Sequence, residues 1–221
     1  MTLTLYFHPL ASYCHKVLVG LYENDIPFAP KVIDLFDPAQ RAELERAWPL
    51  VKFPVLSDQA RGAVVPESTV ILEYLDLHYP GPTRLVPRDP DGAWRCRLLD
   101  RVFDLHVADP MAKIVTDGLR PAGRNDPEGV AQARAALAAT YAYLERELRD
   151  RTWAIGERFT MADCAAAPAL FYANEVAPFE GTHPILGAYL QRLRDRPSFA
   201  RVLDELRPYW SMFPGSRRSA P

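Results

Sequence analysis

The sequence predicts two unlike halves, a small mixed α/β unit followed by an all-helical unit. The prediction rests on period-two alternation at the start of the chain, helical spacing from Trp94 onward, and a breaker-dense stretch between them. A length of 221 residues suits one large domain or two small ones. With 48% hydrophobic and 24% charged residues the chain buries a real core, which excludes a disordered or collagen-like protein. The 21 prolines imply many sharply bounded elements, because proline stops helices and strands.

Leu3, Leu5 and Phe7 alternate with Thr2, Thr4 and Tyr6 as a strand. After a loop at His8 to Ala11, Ser12 is placed to cap a helix carrying Val17, Leu18, Leu21 and Tyr22, which Asp25-Ile26-Pro27 ends. Phe28 to Leu35 reads as a second strand and Pro38 to Trp48 as a short polar helix. Pro54 to Ser57 and Ala63 to Val65 read as strands around a turn, and Glu67 to Tyr79 as a helix. The breakers from Pro80 to Pro90 mark a linker, giving domains at 1–80 and 93–221 joined by 81–92. Trp94, Leu98, Val102 and Leu105 mark a helix that Pro110 bends or ends. Further helices follow over Asp126 to Leu148, Thr160 to Phe171, Pro184 to Arg196 and Ser198 to Leu206, and the polar tail Ser216 to Pro221 is expected to fray.

The charge balance of 26 basic against 28 acidic residues, without a long single-sign run, argues against nucleic-acid or membrane-surface partners. The opening MTLTLYFHPLASYCHKV has no cationic lead or apolar stretch, so no secretory signal is read and a cytoplasmic location is expected. The longest uncharged apolar run, Cys164 to Asn174, contains Pro168 and falls short of the ~20 residues a membrane span needs. Cys14, Cys96 and Cys164 are odd in number and unpaired in spacing, which predicts reduced thiols. His8, His15, His78, His106 and His183 show no metal-ligand spacing, and no metal is expected.

Four short segments stand out. In Trp48-Pro49-Leu50-Val51-Lys52-Phe53-Pro54-Val55-Leu56, the second proline read alone opens a strand. Pro66-Glu67-Ser68 opens a helix; read alone it is a capping pair, and with a ligand it suits a zwitterion, the helix N-terminus taking a carboxylate and Glu67 the ammonium. Thr160-Met161-Ala162-Asp163 is a capping box, a folding device. The fourth is Leu5-Tyr6-Phe7-His8-Pro9 followed by Ser12 and Lys16-Val17.

In this order, these segments resemble the cytosolic glutathione transferases, and the similarity covers about Leu3 to Tyr209. The first is similar to that family's N-P-x-G-K-V-P-x-L segment, the third to its T-x-A-D pattern, and the fourth to the first strand and helix of serine-type members. The resemblance implies a thioredoxin-like α/β domain, glutathione as cosubstrate, and a homodimer. It implies a cis bond between Phe53 and Pro54 that turns the Phe53 backbone outward as a free edge to pair with the cysteinyl backbone, with Lys52 reaching the glycine carboxylate and Glu67 with Ser68 holding the γ-glutamyl end. The implied reaction is conjugation of the thiolate to small hydrophobic electrophiles in detoxification.

Ser12 is the expected thiol-activating hydroxyl and Tyr6 its competitor. The register is shifted: the family's active residue lies five positions before the basic residue of the first helix, and counting from Lys16 this is Ala11. Cys14 reads as a core residue rather than a nucleophile, as do Cys96 and Cys164. The expected substrate pocket is Leu10, Tyr13, Phe103, His106 and Val107, with Tyr172 or Trp210 beside it. Alternatives of the same fold are a glutathione-dependent peroxidase, thiol reductase or isomerase, and a non-catalytic ligand-binding or assembly protein.

Overall fold

A computed structural model describes residues 2–214; the tail Ser216 to Pro221 lies outside the described residues. The first half orders as β1 (Leu3–Phe7), α1 (Ser12–Glu23), β2 (Ala29–Val32), α2 (Pro38–Ala47), β3 (Val55–Asp58), β4 (Ala63–Pro66) and α3 (Ser68–His78). The sheet runs β2-β1-β3-β4, with β1 parallel to β2 and antiparallel to β3, and β3 antiparallel to β4. This is a thioredoxin-like α/β domain.

The alternation in β1 sorts side chains between two layers. Leu3, Leu5 and Phe7 face the main core with Val17 and Leu21 of α1 and Leu72 and Leu75 of α3. Tyr6 points the other way, into a small cluster of Ile33, Leu44 and Val55 under α2. Gly20 permits α1 and α3 to approach, since a Cβ there would come 2.3 Å from Leu72 Cδ2.

The second half is helical: α4 (Pro90–Val102), a π-helical segment (Phe103–Ala108), α5 (Asp109–Asp117), α6 (Pro127–Glu147), α7 (Met161–Val176), α8 (Pro184–Arg194), α9 (Pro197–Leu206) and a 3-10 turn (Arg207–Met212). Short acids start several of these: Asp89 accepts from Gly92 N, and Asp126 from Gly129 N. Asp163 accepts from the backbone of Thr160 at 2.8 Å, closing the expected capping box, and also from Ala154 N and the Tyr189 hydroxyl. Both halves share one core, because α1 packs on α7 and α9 and the Met161 amide donates to Leu85 O at 2.8 Å.

Four sequence expectations change. Ser12 is the first residue of α1, with Ala11 at the cap and no side-chain capping bond. Pro168 does not shorten α7, which continues to Val176 instead of ending at Phe171. α4 begins at Pro90, inside the stretch read as linker. The apolar stripe of Trp94, Leu98 and Leu105 is not the inward face: all three are about half exposed, while Cys96, Leu99 and Phe103 are buried.

Candidate functional site

Two halves of a cleft of about 620 Å³ come from the two halves of the chain. The α/β wall holds Trp48, Lys52, Phe53 and Pro54 from the loop before β3, and Glu67, Ser68, Thr69 and Val70 from the turn into α3. Facing it are Tyr13 of α1 and Arg101, Asp104, Leu105 and Asp109 of the helical half.

The Phe53-Pro54 bond is cis. Phe53 lies just before β3, and its backbone amide and carbonyl make no hydrogen bond among the described residues. Val51 supplies the turn with φ 51°, a left-handed conformation unusual for a β-branched residue. On the same wall, Glu67 also has positive φ, 68°, and its side chain is exposed, while Ser68 is buried at the first position of α3. The unpaired N-H groups of that helix start are therefore presented beside a carboxylate.

Beneath this turn lies a buried charge cluster. Lys16 Nζ sits 2.6 Å from Asp100 and 2.8 Å from Asp104, and donates to Thr69 Oγ1 at 2.8 Å. Thr69 in turn donates to Asp100 at 2.8 Å. Arg101 closes the cluster against both carboxylates. Two cations and two anions balance, which is the condition under which burial of such groups is tolerated. Burial pushes the Asp104 carboxyl upward, and Lys16 opposes that shift.

The Tyr13 hydroxyl donates to Asp109 at 2.9 Å, and its phenol is held well above the ordinary tyrosine range by burial and by the Asp104 and Asp109 carboxylates. It remains a neutral donor at physiological pH. His8, lowered from its usual range by burial, stacks on Phe53 and accepts from Leu10 N, which steadies the loop leading to α1. Burial pushes the Cys14 thiol up to about 12, so this residue is a thiol and not a thiolate at neutral pH.

The expected glutathione residues Lys52, Phe53, Pro54, Glu67 and Ser68 converge on the cleft. Neither Ser12 nor Tyr6 is among the residues lining the cleft: Ser12 is half-buried next to the wall residue Tyr13, and Tyr6 packs under α2. Of the expected substrate pocket, only Tyr13 lines it. Phe103 and Val107 are fully buried against α7 in the core, continuing the buried face of Leu99 at four-residue spacing, while Asp104 and Leu105 line the cleft. Tyr172 and Trp210 are likewise core residues; Leu10 packs half-buried against the core, and His106 is exposed outside the lining.

Sequence reasoning missed Trp48, Thr69, Val70, Arg101, Asp104, Leu105 and Asp109. A signal existed for some of these: Asp100 and Asp104 are spaced i, i+4 with Arg101 between them on a helix otherwise rich in arginine. Among the described residues no group of three or more His, Cys, Asp or Glu could hold a metal, and no helix is long and apolar enough to cross a membrane.

Comparison with known proteins agrees with this geometry. The glutathione S-transferase N-terminal domain matches residues 5–83 and the glutathione S-transferase C-terminal domain matches residues 107–197. A stringent starvation protein A homolog of Coxiella burnetii is 31% identical over 92% of each chain, and a probable maleylacetoacetate isomerase of Vibrio cholerae is 27% identical over 94% of this chain and 98% of its own. The crystal structure of a glutathione S-transferase from Methylobacterium radiotolerans, in complex with glutathione sulfonate, superposes with a TM-score of 0.80 at 32% identity, covering 90% of this chain and 93% of that one. With its two domains, its cleft and these relatives in agreement, the chain belongs to the cytosolic glutathione S-transferase family of bacterial type.

Proposed function

We propose that the protein binds glutathione in this cleft and transfers its thiolate to small hydrophobic electrophiles. The observation that carries the reading is an unpaired Phe53 backbone edge lying beside the Glu67-Ser68 helix start on one wall of the cleft, which together match the middle and the zwitterionic end of the tripeptide. Lys52 takes the glycine carboxylate at the exposed side. In this reading residues 1–80 form the glutathione half and 93–221 the substrate half, joined by 81–92.

A free thiol with a pKa of ~8.5 is only a few per cent ionised at neutral pH. One hydroxyl donated to the sulfur anion contributes ~1.5 to 3 kcal/mol, or ~1 to 2 pKa units. Ser12 is the donor of this reading, aided by the dipole of α1 at its first residue. Tyr6 is the weaker candidate, because it packs beneath α2. The thiolate then attacks an electrophile seated against Trp48, Val70 and Leu105, with Arg101 and Asp109 near its polar groups. The cellular role would be detoxification in the cytoplasm, and the half-exposed Trp94, Leu98 and Leu105 favour a homodimer.

The second reading keeps glutathione and drops the transfer. Ala11 in the position that precedes Lys16 by five supports it, as does the name of the Coxiella burnetii relative, which is not that of a transferase. Isomerisation is a third outcome on the same site, in line with the name of the Vibrio cholerae relative. The ultraviolet thiolate band of glutathione, titrated with protein at pH 7 and compared with S-methylglutathione, separates binding from activation. Growth to one thiolate per subunit supports transferase or isomerase chemistry. Calorimetric binding without the band turns the reading to ligand binding or assembly.

A further inference from the structure

The charges around the cleft do not cancel. Lys16 and Arg101 balance Asp100 and Asp104 within the buried cluster. On the α/β wall Lys52 and Glu67 are opposite in sign. Asp109, the first residue of α5, is left over, so the cleft carries one net negative charge. This carboxylate is exposed and stands on the helical wall, facing the residues assigned to glutathione.

Nothing within the described residues neutralises Asp109. It makes no ion pair there, and its hydrogen-bond partner is the Tyr13 hydroxyl at 2.9 Å, a neutral donor that leaves the carboxylate its charge. The cation one turn further along α5, Lys113, is taken by Asp126. Arg101 turns its Nε and Nη2 to Asp100, at 3.1 and 2.8 Å. Tyr13 commits its only proton to Asp109 and the Asp104 carbonyl, so toward a ligand its oxygen is an acceptor. Tyr13 and Trp48 line the same space, with Val70 and Leu105 beside them. A carboxylate among aromatic side chains is the combination that receives an ammonium group: the anion attracts its charge, and the rings add cation–π attraction while covering its apolar body.

We propose that the electrophile taken by this cleft carries a cationic group, an ammonium or quaternary ammonium on an apolar body, which Asp109 receives against Trp48 and Tyr13. The inference rests on the glutathione reading and narrows its substrate class. Bound glutathione strengthens the preference, since the tripeptide brings one more carboxylate than ammonium group and its activated sulfur is anionic. An anionic electrophile would meet Asp109 and the thiolate together, while Lys52 is occupied by the glycine carboxylate in this reading and Arg101 is balanced by its own acids.

Calorimetry of S-substituted glutathiones with the full chain tests it. S-(para-trimethylammoniobenzyl)glutathione and S-(para-tert-butylbenzyl)glutathione share a shape and differ in one charge, and S-methylglutathione reports on the tripeptide alone. Asp109→Asn is expected to weaken the cationic conjugate by ~5- to 10-fold and the tert-butyl conjugate by less than ~2-fold. Asp109→Glu is expected to retain the affinity for the cationic conjugate, and added salt to reduce it. Equal loss of both conjugates in Asp109→Asn, or loss of neither, overturns the proposal, and normal binding of S-methylglutathione in the same experiment leaves the glutathione reading in place. Failure of S-methylglutathione to bind overturns both.

Discussion

The Lys16 ammonium lies 2.6 Å from the Asp100 carboxylate, and both side chains are sealed from solvent at the seam between the two domains. Through Thr69 the same pair reaches the helix start that faces the cleft. Removing one partner leaves uncompensated buried charge, which generally costs about 3 to 5 kcal/mol. Lys16→Met is therefore expected to lower the urea unfolding free energy by about that amount, and Lys16→Met/Asp100→Leu/Asp104→Leu to recover most of it. A loss below about 1 kcal/mol in the single variant would show that water reaches the cluster.

His15 gives a pH signature. It is fully buried on α1, stacked on Tyr172, with Nε2 donating to Pro9 O, and burial lowers its pKa from 6.5 to about 4. The unfolded chain binds this proton more readily than the folded one, so His15 contributes stability that is complete above about pH 6.5 and is lost as pH falls toward about 4. His15→Phe keeps the stacking and is expected to flatten the pH dependence of the unfolding free energy across this window. An unchanged slope between wild type and variant would place the acid sensitivity elsewhere.

The glutathione reading makes separable demands on Ser12 and Glu67. Ser12→Ala is expected to reduce the thiolate band and kcat by ~10- to 100-fold, with glutathione affinity changed little, since one charge-assisted hydrogen bond is lost. Glu67→Gln is expected to weaken glutathione binding by ~10-fold, measured by calorimetry, while sparing the thiol pKa of bound glutathione. If Ser12→Ala retains the band and Tyr6→Phe loses it, the activating hydroxyl is Tyr6.

The exposed stripe on α4 bears on assembly. Trp94 and Leu98 are 51% and 47% exposed, with Val70 and Leu77 of α3 also exposed at 52% and 69%. Trp94→Arg/Leu98→Arg is expected to convert a dimer to a monomer in sedimentation velocity at micromolar protein, with the far-ultraviolet circular dichroism unchanged. A wild-type monomer would remove the stripe from the argument.

Much of this molecule was legible as local grammar. Period-two alternation located β1, Asp126-Pro127 located the start of α6, and Thr160 with Asp163 located α7, because each depends on neighbours within about four residues. The two backbone stretches that line the α/β wall of the cleft were also visible, since Lys52-Phe53-Pro54 and Glu67-Ser68 are set by their own local backbone geometry.

Side-chain direction across the helical half was not legible. Phe103 and Val107 look like pocket residues on a helical wheel, yet α7 packs over their face and buries them, and Asp104 and Leu105 line the cleft instead. Trp94 and Leu98 look like core residues, yet Cys96 and Leu99 take the inward stripe. Lys16 looks like a solvated base on a surface helix, until Asp100 and Asp104 arrive from ~90 residues away to balance it. Elements, caps and the backbone of the ligand site are decided by short-range sterics and hydrogen bonding, which the order of residues specifies directly. Which face of a helix is buried, and whether a charge has a partner, depend on what packs against it, and that is settled only when distant segments meet.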